Sequence, residues 1–336
     1  TSSAGARATV TNLGGDPATA SLQLTDGGTA LWDASSEEFA DAEVQAFVHG
    51  SFIREYVRTF APNLAFLNQP VVANVNIDDQ CNAFSDGTAI YFYRADSACE
   101  NTALLSDVIY HEYGHSMHSN AIIPGVGAFD GAMSEGLSDF LATTISGDSG
   151  LGRGFFHNNN PLRELNPEDR EHRYPDDLGE IHYAGIIYGG TFWDLRTALF
   201  EAMGPELGHP LLMRLFYASV QRATDIPSVL IEVLVEDDDD GNLANGTPHE
   251  CLIRDVFGRH GLRTASGSAR AAGTVPSDSA TGTLPVDVSL TNLSANCAGD
   301  EVAEVEVRWT PGNGHGPESG DTIATQVSDT DYHVEI

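Results

Sequence analysis

Apolar residues along this chain change their spacing several times, and each change marks an element. Residues 1–31 carry short runs broken at Gly14-Gly15 and Gly27-Gly28, which predicts brief strands joined by turns. Over 37–60, Phe39, Val44, Phe47, Val48, Phe52, Tyr56 and Phe60 recur at helical intervals, the core-facing stripe of a long helix. Ala89-Ile90-Tyr91-Phe92-Tyr93 is β-rich, whereas Asp107-Val108-Ile109-Tyr110 is apolar after its first residue and leads into a buried helix. A further helix is predicted over 131–142, and two more core helices over 186–203 and 207–223. Near 264–284 the composition shifts to Ser, Ala, Gly and Thr, a linker signature. Beyond it, 284–290, 301–309 and 332–336 alternate like strands, which predicts a small β-sandwich, truncated at its end.

The buried helix carries His111-Glu112-Tyr113-Gly114-His115. Positions four apart lie on one helical face, so His111 and His115 can offer two imidazole nitrogens to one ion while Glu112 leans over its open side. A third ligand is supplied by Glu135 on the next helix. Asp139, one turn later on the same face, is placed to accept the free ring N–H of His111 and fix its tautomer. Two histidines and one carboxylate leave the fourth zinc position for water, the mark of a catalytic rather than a structural site. Gly114 in mid-helix costs roughly 1 kcal/mol against alanine, which implies that something packs closely there. A metzincin is excluded, because it would need Gly at position 118 and His at 121 where the chain has His118 and Ala121.

With these motifs the chain resembles the thermolysin-like gluzincin zinc metallopeptidases, most of all the fungalysin-type secreted endopeptidases, over about residues 30–262. Asn82-Ala83-Phe84-Ser85-Asp86-Gly87 is similar to the family's edge strand, implying that Asn82 and Ala83 bind the substrate backbone by strand addition. Leu162-Arg163-Glu164-Leu165-Asn166-Pro167 resembles the segment whose Arg grips the carbonyl past the scissile bond, a role that falls to Arg163. Ile181-His182-Tyr183-Ala184-Gly185 resembles the helix whose His stabilises the oxyanion, and Asp177 matches the carboxylate that orients it. The tyrosine that helps hold the oxyanion in thermolysin has no counterpart over 116–134, which leaves its part to His182, Tyr183 or Tyr188. Asp107 matches a calcium-binding Asp of thermolysin. The implied fold is α+β and two-lobed, a β-rich N-terminal lobe with the zinc helix and a mainly α C-terminal lobe. The expected division is an N-terminal β segment at 1–31, the catalytic domain at 32–263, a linker at 264–284 and the β-sandwich-like domain at 285–336.

Composition bounds the setting. Forty-nine acidic residues face sixteen cations, every one an arginine, and the net charge of −33 argues against nucleic-acid or anionic-membrane partners. Such a surface fits secretion into salty water, where screening weakens self-repulsion, although genomic base composition could equally favour Arg over Lys. There is no transmembrane run, and a chain beginning Thr1-Ser2-Ser3 without a signal sequence reads as a mature form whose targeting and pro-segments have been removed, with an inhibitory propeptide as a candidate partner. The four cysteines lack zinc-motif spacing. Cys81 and Cys99 bracket the substrate strand, and a link between them would contribute about 3 kcal/mol; free buried thiols are the alternative. Counted from Glu236, the run Glu236-Asp237-Asp238-Asp239-Asp240-Gly241-Asn242 places oxygen donors at Glu236, Asp238, Asp240 and Asn242 like a calcium loop, without the closing Glu of an EF-hand. The expected protein is a monomeric secreted zinc endopeptidase acting on proteins or peptides, with Ca2+ as a structural ion. An exopeptidase, or a non-catalytic adhesive protein on a peptidase scaffold, is the alternative.

Overall fold

A computed structural model describes residues 3–262, 266–271, 284–291, 297, 305–309, 320–327 and 331–335. The chain divides into two compact units, Thr1–Leu243 with Thr247–Leu262, and Ala244–Gly246 with Arg263–Ile336.

In the first unit, β1 (Ser3–Ala4), β2 (Ala8–Asn12), α1 (Glu38–Phe60), β3 (Val71–Ile77), β4 (Ala83–Ser85) and β5 (Ala89–Tyr93) build a five-stranded sheet and its covering helix. The sheet order is β1-β2-β3-β5-β4. β2, β3 and β5 run parallel, and β4 folds back antiparallel to β5 and ends the sheet. The parallel strands bury Val10, Ala73, Val75, Ile90 and Phe92 in one apolar cluster with Ile53 and Val57 of α1. β2 is bonded to β3, so the N-terminal segment joins the first unit's sheet instead of standing apart. No strand forms over residues 17–25, where Leu22 and Leu24 are exposed and the alternation meets no partner.

The remainder of the unit is helical: α2 (Ser106–Ala121), α3 (Gly131–Ser146), α4 (Ile181–Met203), α5 (Pro205–Arg222), α6 (Val229–Asp237) and α7 (Glu250–Arg259), with a small ribbon of β6 (Gly150–Leu151) and β7 (Arg163–Glu164) after α3. Local chemistry sets the helix ends. Asp130 accepts a hydrogen bond from Ala132 N at 2.9 Å to cap α3, and Gly147 stops it at φ +74°. Glu180 caps α4 by accepting from His182 N at 3.0 Å.

α2, α3 and α4 approach one another unusually closely. A Cβ on Gly114 of α2 would lie 2.8 Å from Ser138 Cα, so the glycine of the zinc-motif helix is the seat of α3. A Cβ on Gly136 of α3 would lie 2.2 Å from the carbonyl oxygen of Gly185 in α4.

The second unit holds β8 (Ser266–Ala271), β9 (Pro285–Thr291), β10 (Val305–Trp309), β11 (Gly320–Gln326) and β12 (Asp331–Glu335). They form one antiparallel sheet in the order β10-β11-β12-β9-β8 over a cluster of Val286, Val288, Ala324, Tyr332 and Val334. Among the described residues there is a single sheet, not the two facing sheets of a sandwich. β8 lies in what the composition marks as linker, because pairing with β9 outweighs the weak strand preference of Ser, Gly and Ala. The rest of the expected linker, 272–283, lies outside the described residues. No helix among the described residues is long and apolar enough to cross a membrane.

Replacing Gly136 by Ala sets two effects against each other. Helix propensity favours alanine by about 1 kcal/mol, but a Cβ at 2.2 Å from backbone oxygen cannot be relieved by a rotamer change, and overpacking of this kind costs about 1–3 kcal/mol. The clash should win: Gly136→Ala lowers the melting temperature, measured by calorimetry, whereas a rise would show that α3 and α4 separate freely.

Candidate metal centre

His111 and His115, four residues apart on α2, bring their Nε2 atoms to 3.1 Å of each other. Glu135 on α3 completes the group, with Oε2 3.3 Å from His111 Nε2 and Oε1 3.6 Å from His115 Nε2. Tetrahedral zinc with bonds of about 2.0–2.2 Å separates its ligand atoms by roughly 3.3–3.5 Å. The observed spacings lie near that range, with a different Glu135 oxygen toward each histidine, and one ligand atom from each of the three residues lies within 4.8 Å of the others. Glu135 Oε2 is moreover buried with no well-aligned hydrogen bond, so the donor set fits a metal ion.

Asp139 lies fully buried behind His111, with Oδ1 2.8 Å from Nδ1 although off the line of ideal N–H alignment. That contact places the proton on Nδ1 and leaves Nε2 as a lone pair toward Glu135. Asp139 is itself held by Arg163 of β7, whose Nε and Nη2 donate to its two oxygens at 2.6 and 2.7 Å. Sequence expects Arg163 at a substrate carbonyl; the structure engages it first as the anchor of Asp139. His115 Nδ1 meets Ser134 Oγ at 2.9 Å and Ser138 Oγ at 3.3 Å. The zinc motif and its spacing assign no role to these two serines. The signal was present, since Ser134 and Ser138 stand one turn apart beside Glu135 on α3.

Burial is the largest single influence at each group and is opposed at every one. It disfavours a charged His111, but the hydrogen bond and charge of Asp139, helped by Glu135 and Glu112, outweigh it and lift the pKa to about 10. Burial raises the Glu112 carboxyl, with His111, His115 and Arg163 opposing. It also opposes ionisation of Asp139, yet Arg163 and His111 hold that carboxyl below its ordinary value. The field at this point calls for positive charge.

His182, in the first turn of α4, points Nε2 to 3.4 Å from Glu135 Oε2. Asp177 does not orient it, contrary to the expected pairing. Both Asp177 oxygens accept from Arg170, at 2.6 and 2.7 Å, and further bonds come from Arg173 N and Tyr183 Oη. Those contacts hold its carboxyl well below the usual range. Glu180 takes the place, with Oε1 2.6 Å from His182 Nδ1. As the cap of α4 it is fixed two residues from the ring, a signal available in the sequence only to a reader who accepts Glu as an N-cap. Tyr188 is buried on Ser219 and takes no part, while Tyr183 stands half-exposed beside Asp177.

β4 supplies the expected edge. Asn82 is exposed, Ala83 begins the strand, and Ser85 Oγ meets Ser116 Oγ of α2 at 2.8 Å, one residue after His115. Cys81 and Cys99 are joined as a disulfide with Cα atoms 5.6 Å apart, and none of the described cysteines is a free thiol.

The acidic run departs from the expected loop. α6 continues through Asp237, so Glu236 is still helical and pairs with Arg222 at 3.2 Å. Asp237 is tied to Thr247 and His249. The clustered carboxylates are Asp238, Asp239 and Asp240, and Asp238 Oδ1 is buried without a hydrogen-bond partner. Asn242 is bound through its backbone N–H to Asp240. Asp107, the other expected calcium ligand, accepts from Gly152 N at 2.7 Å.

Fold and site together support a thermolysin-like metallopeptidase. The structure is similar to the precursor of protealysin, a metalloproteinase from Serratia proteamaculans, with a TM-score of 0.55 and 14% identity over 78% of this chain and 90% of that one. In sequence the likeness is on the fungalysin side: extracellular metalloproteinase 3 of Trichophyton tonsurans, of Trichophyton equinum and of Arthroderma benhamiae are each 27% identical over 47% of this chain and 30% of theirs. The match thus spans 30% of the length of those curated relatives. No protein-family model matches the chain.

Removing the charge behind His111 tests the centre directly. Asp139→Asn should weaken metal binding about 10–100-fold, read by competition with a chromophoric chelator. Unchanged affinity would mean that Asp139 serves Arg163 alone.

Proposed function

We propose that the chain is a secreted zinc-dependent endopeptidase that hydrolyses peptide bonds within proteins. The observation that carries this reading is the convergence of His111, His115 and Glu135, one ligand atom from each within 4.8 Å of the others, with Glu112 buried on the same helix. Bound there, zinc would polarise the scissile carbonyl and acidify a water at its open position. Glu112 takes the proton of the attacking water and passes it to the leaving nitrogen. His182, held at Nδ1 by Glu180, directs Nε2 toward the ligand group and donates to the oxyanion. Asp139 and Arg163 keep His111 in its ligating tautomer. The edge strand β4, with Asn82 and Ala83 at its start, pairs with the substrate backbone, which sets orientation with little demand on side chains. Secretion is supported by the disulfide and by the names of the extracellular relatives.

Calcium belongs at Asp238, Asp239 and Asp240, with Glu236 turned away to Arg222. Three adjacent carboxylates, one with a buried unpaired oxygen, are relieved by a hard cation.

Casein hydrolysis should cease with a chelator, return with zinc, and fall on the order of 10²–10⁴-fold in Glu112→Gln that still holds metal. Near wild-type proteolysis in that variant overturns the mechanism. Release of terminal residues alone would reassign the chain to the exopeptidases, and metal binding without any cleavage would leave a binding scaffold.

For calcium, protein stripped of it and kept saturated with zinc should gain about 2.7 kcal/mol of stability at a hundredfold excess over Kd. A melting temperature indifferent to millimolar calcium would leave the run as solvated charge.

A further inference from the structure

A second convergence of ligating side chains lies away from this centre, at the C-terminal end of α7. His260 is fully buried. Its Nδ1 lies 3.0 Å from the carbonyl oxygen of His172, a partner that can only accept, so Nδ1 carries a proton and Nε2 is the nitrogen left to bind an ion. That nitrogen faces carboxylates. Nε2 is 3.4 Å from Asp194 Oδ2, and the ligating atoms of Glu171, Asp194 and His260 all lie within 4.8 Å of one another. One imidazole nitrogen and two carboxylates converging in this way can close around a single cation. The nearest guanidinium on this element, Arg259, is paired with Asp255.

We propose that Glu171, Asp194 and His260 form a second metal site that takes one divalent transition ion, zinc above all. Imidazole with two carboxylates suits zinc, whereas calcium and magnesium favour all-oxygen cages. The backbone carbonyl on Nδ1 is the support that metal-ligating histidines ordinarily have. Asp194 keeps 15% of its side chain exposed, which gives an ion a path in and a place for completing water.

The site's role is structural and stands whether or not the chain is a peptidase. Its ligands come from the loop before α4, the middle of α4 and the end of α7. The same loop is strapped to α7 by Tyr174 N donating to His260 O at 2.9 Å. Gly261, at φ +74°, passes so close that a Cβ would lie 2.0 Å from Tyr174 O. An ion here pins the loop that carries Asp177 and Glu180 to the helix that carries His182.

The test is metal analysis of the full chain loaded with zinc and freed of excess by gel filtration. Wild type should retain one equivalent at the first centre and another here; His260→Gln and Asp194→Asn should each lose the second, and His111→Ala should keep it. Zinc should also raise the melting temperature of His111→Ala protein, and adding Glu171→Gln, a change at the partly exposed rim, should abolish that rise. A wild type with a single equivalent that His260→Gln does not alter, or a zinc-induced rise that survives Glu171→Gln, would overturn the proposal and leave a protonated His260 between the carboxylates. Failure of the catalytic reading looks different, since it would appear as no loss of zinc in His111→Ala.

Discussion

Three helices can aim side chains at one point a few ångströms across only if their backbones nearly touch, and here that contact is made through glycines. Gly114 admits Ser138, and Gly136 admits the backbone of Gly185. The residues beside these contacts are the chemical ones. Glu135 precedes Gly136, Asp139 follows Ser138, and His182 lies one turn before Gly185. Ser138 does both jobs, filling the space over Gly114 and facing His115 Nδ1. Any side chain large enough to part these helices would move ligands by more than the few tenths of an ångström that a metal tolerates.

The same closeness creates an electrostatic debt. Glu112, Glu135 and Asp139 are nearly or fully buried, and Arg163 is the fixed cation among them. Three carboxylates against one guanidinium leave two negative charges to be met when both histidines offer their lone pairs to an ion. A divalent ion supplies that charge at the point where the lone pairs converge, which agrees with the ligand spacing through a separate physical route. Without it, burying such a group is expensive. The chain as a whole, at a formal net charge of −33, offers no relief. Metal binding and stability of this unit should therefore be coupled.

What could be seen in the sequence follows the regularity of the helix. His111, His115, Glu135 and Asp139 stand at intervals that a helix converts into geometry, so their grouping was legible before any coordinates. The long helix α1 and the fall of α5 were legible for the same reason. Asp177 was misassigned because the loop before α4 has no period: nothing in its spelling shows that Arg170 takes both carboxylate oxygens while Glu180 caps the helix and holds His182. The acidic run failed in a related way. Counting a calcium loop from Glu236 assumed that the helix had ended, whereas α6 runs on through Asp237 and turns Glu236 to Arg222. β8, made of small residues, exists through its partner β9 rather than its own preference.

The edge strand shows how exposure and rigidity are reconciled. An unpaired edge must stay open to receive a peptide, yet a three-residue strand such as β4 has little to hold it. Its supports come from the ends and one face. The Cys81–Cys99 disulfide fixes the entry. Asp86 accepts from Thr88 N and Ala89 N, each at 2.8 Å, and from the Tyr91 hydroxyl at 2.8 Å, which locks the turn into β5. Phe84 stacks on Tyr91 with centroids 4.4 Å apart. The Ser85 to Ser116 hydroxyl contact then ties the strand to α2 beside His115. On the proposed reading, a peptide added along β4 takes its register from the helix that carries the metal ligands. Its scissile bond is thus positioned by backbone pairing instead of side-chain pockets, which favours cleavage within a chain over trimming at its ends.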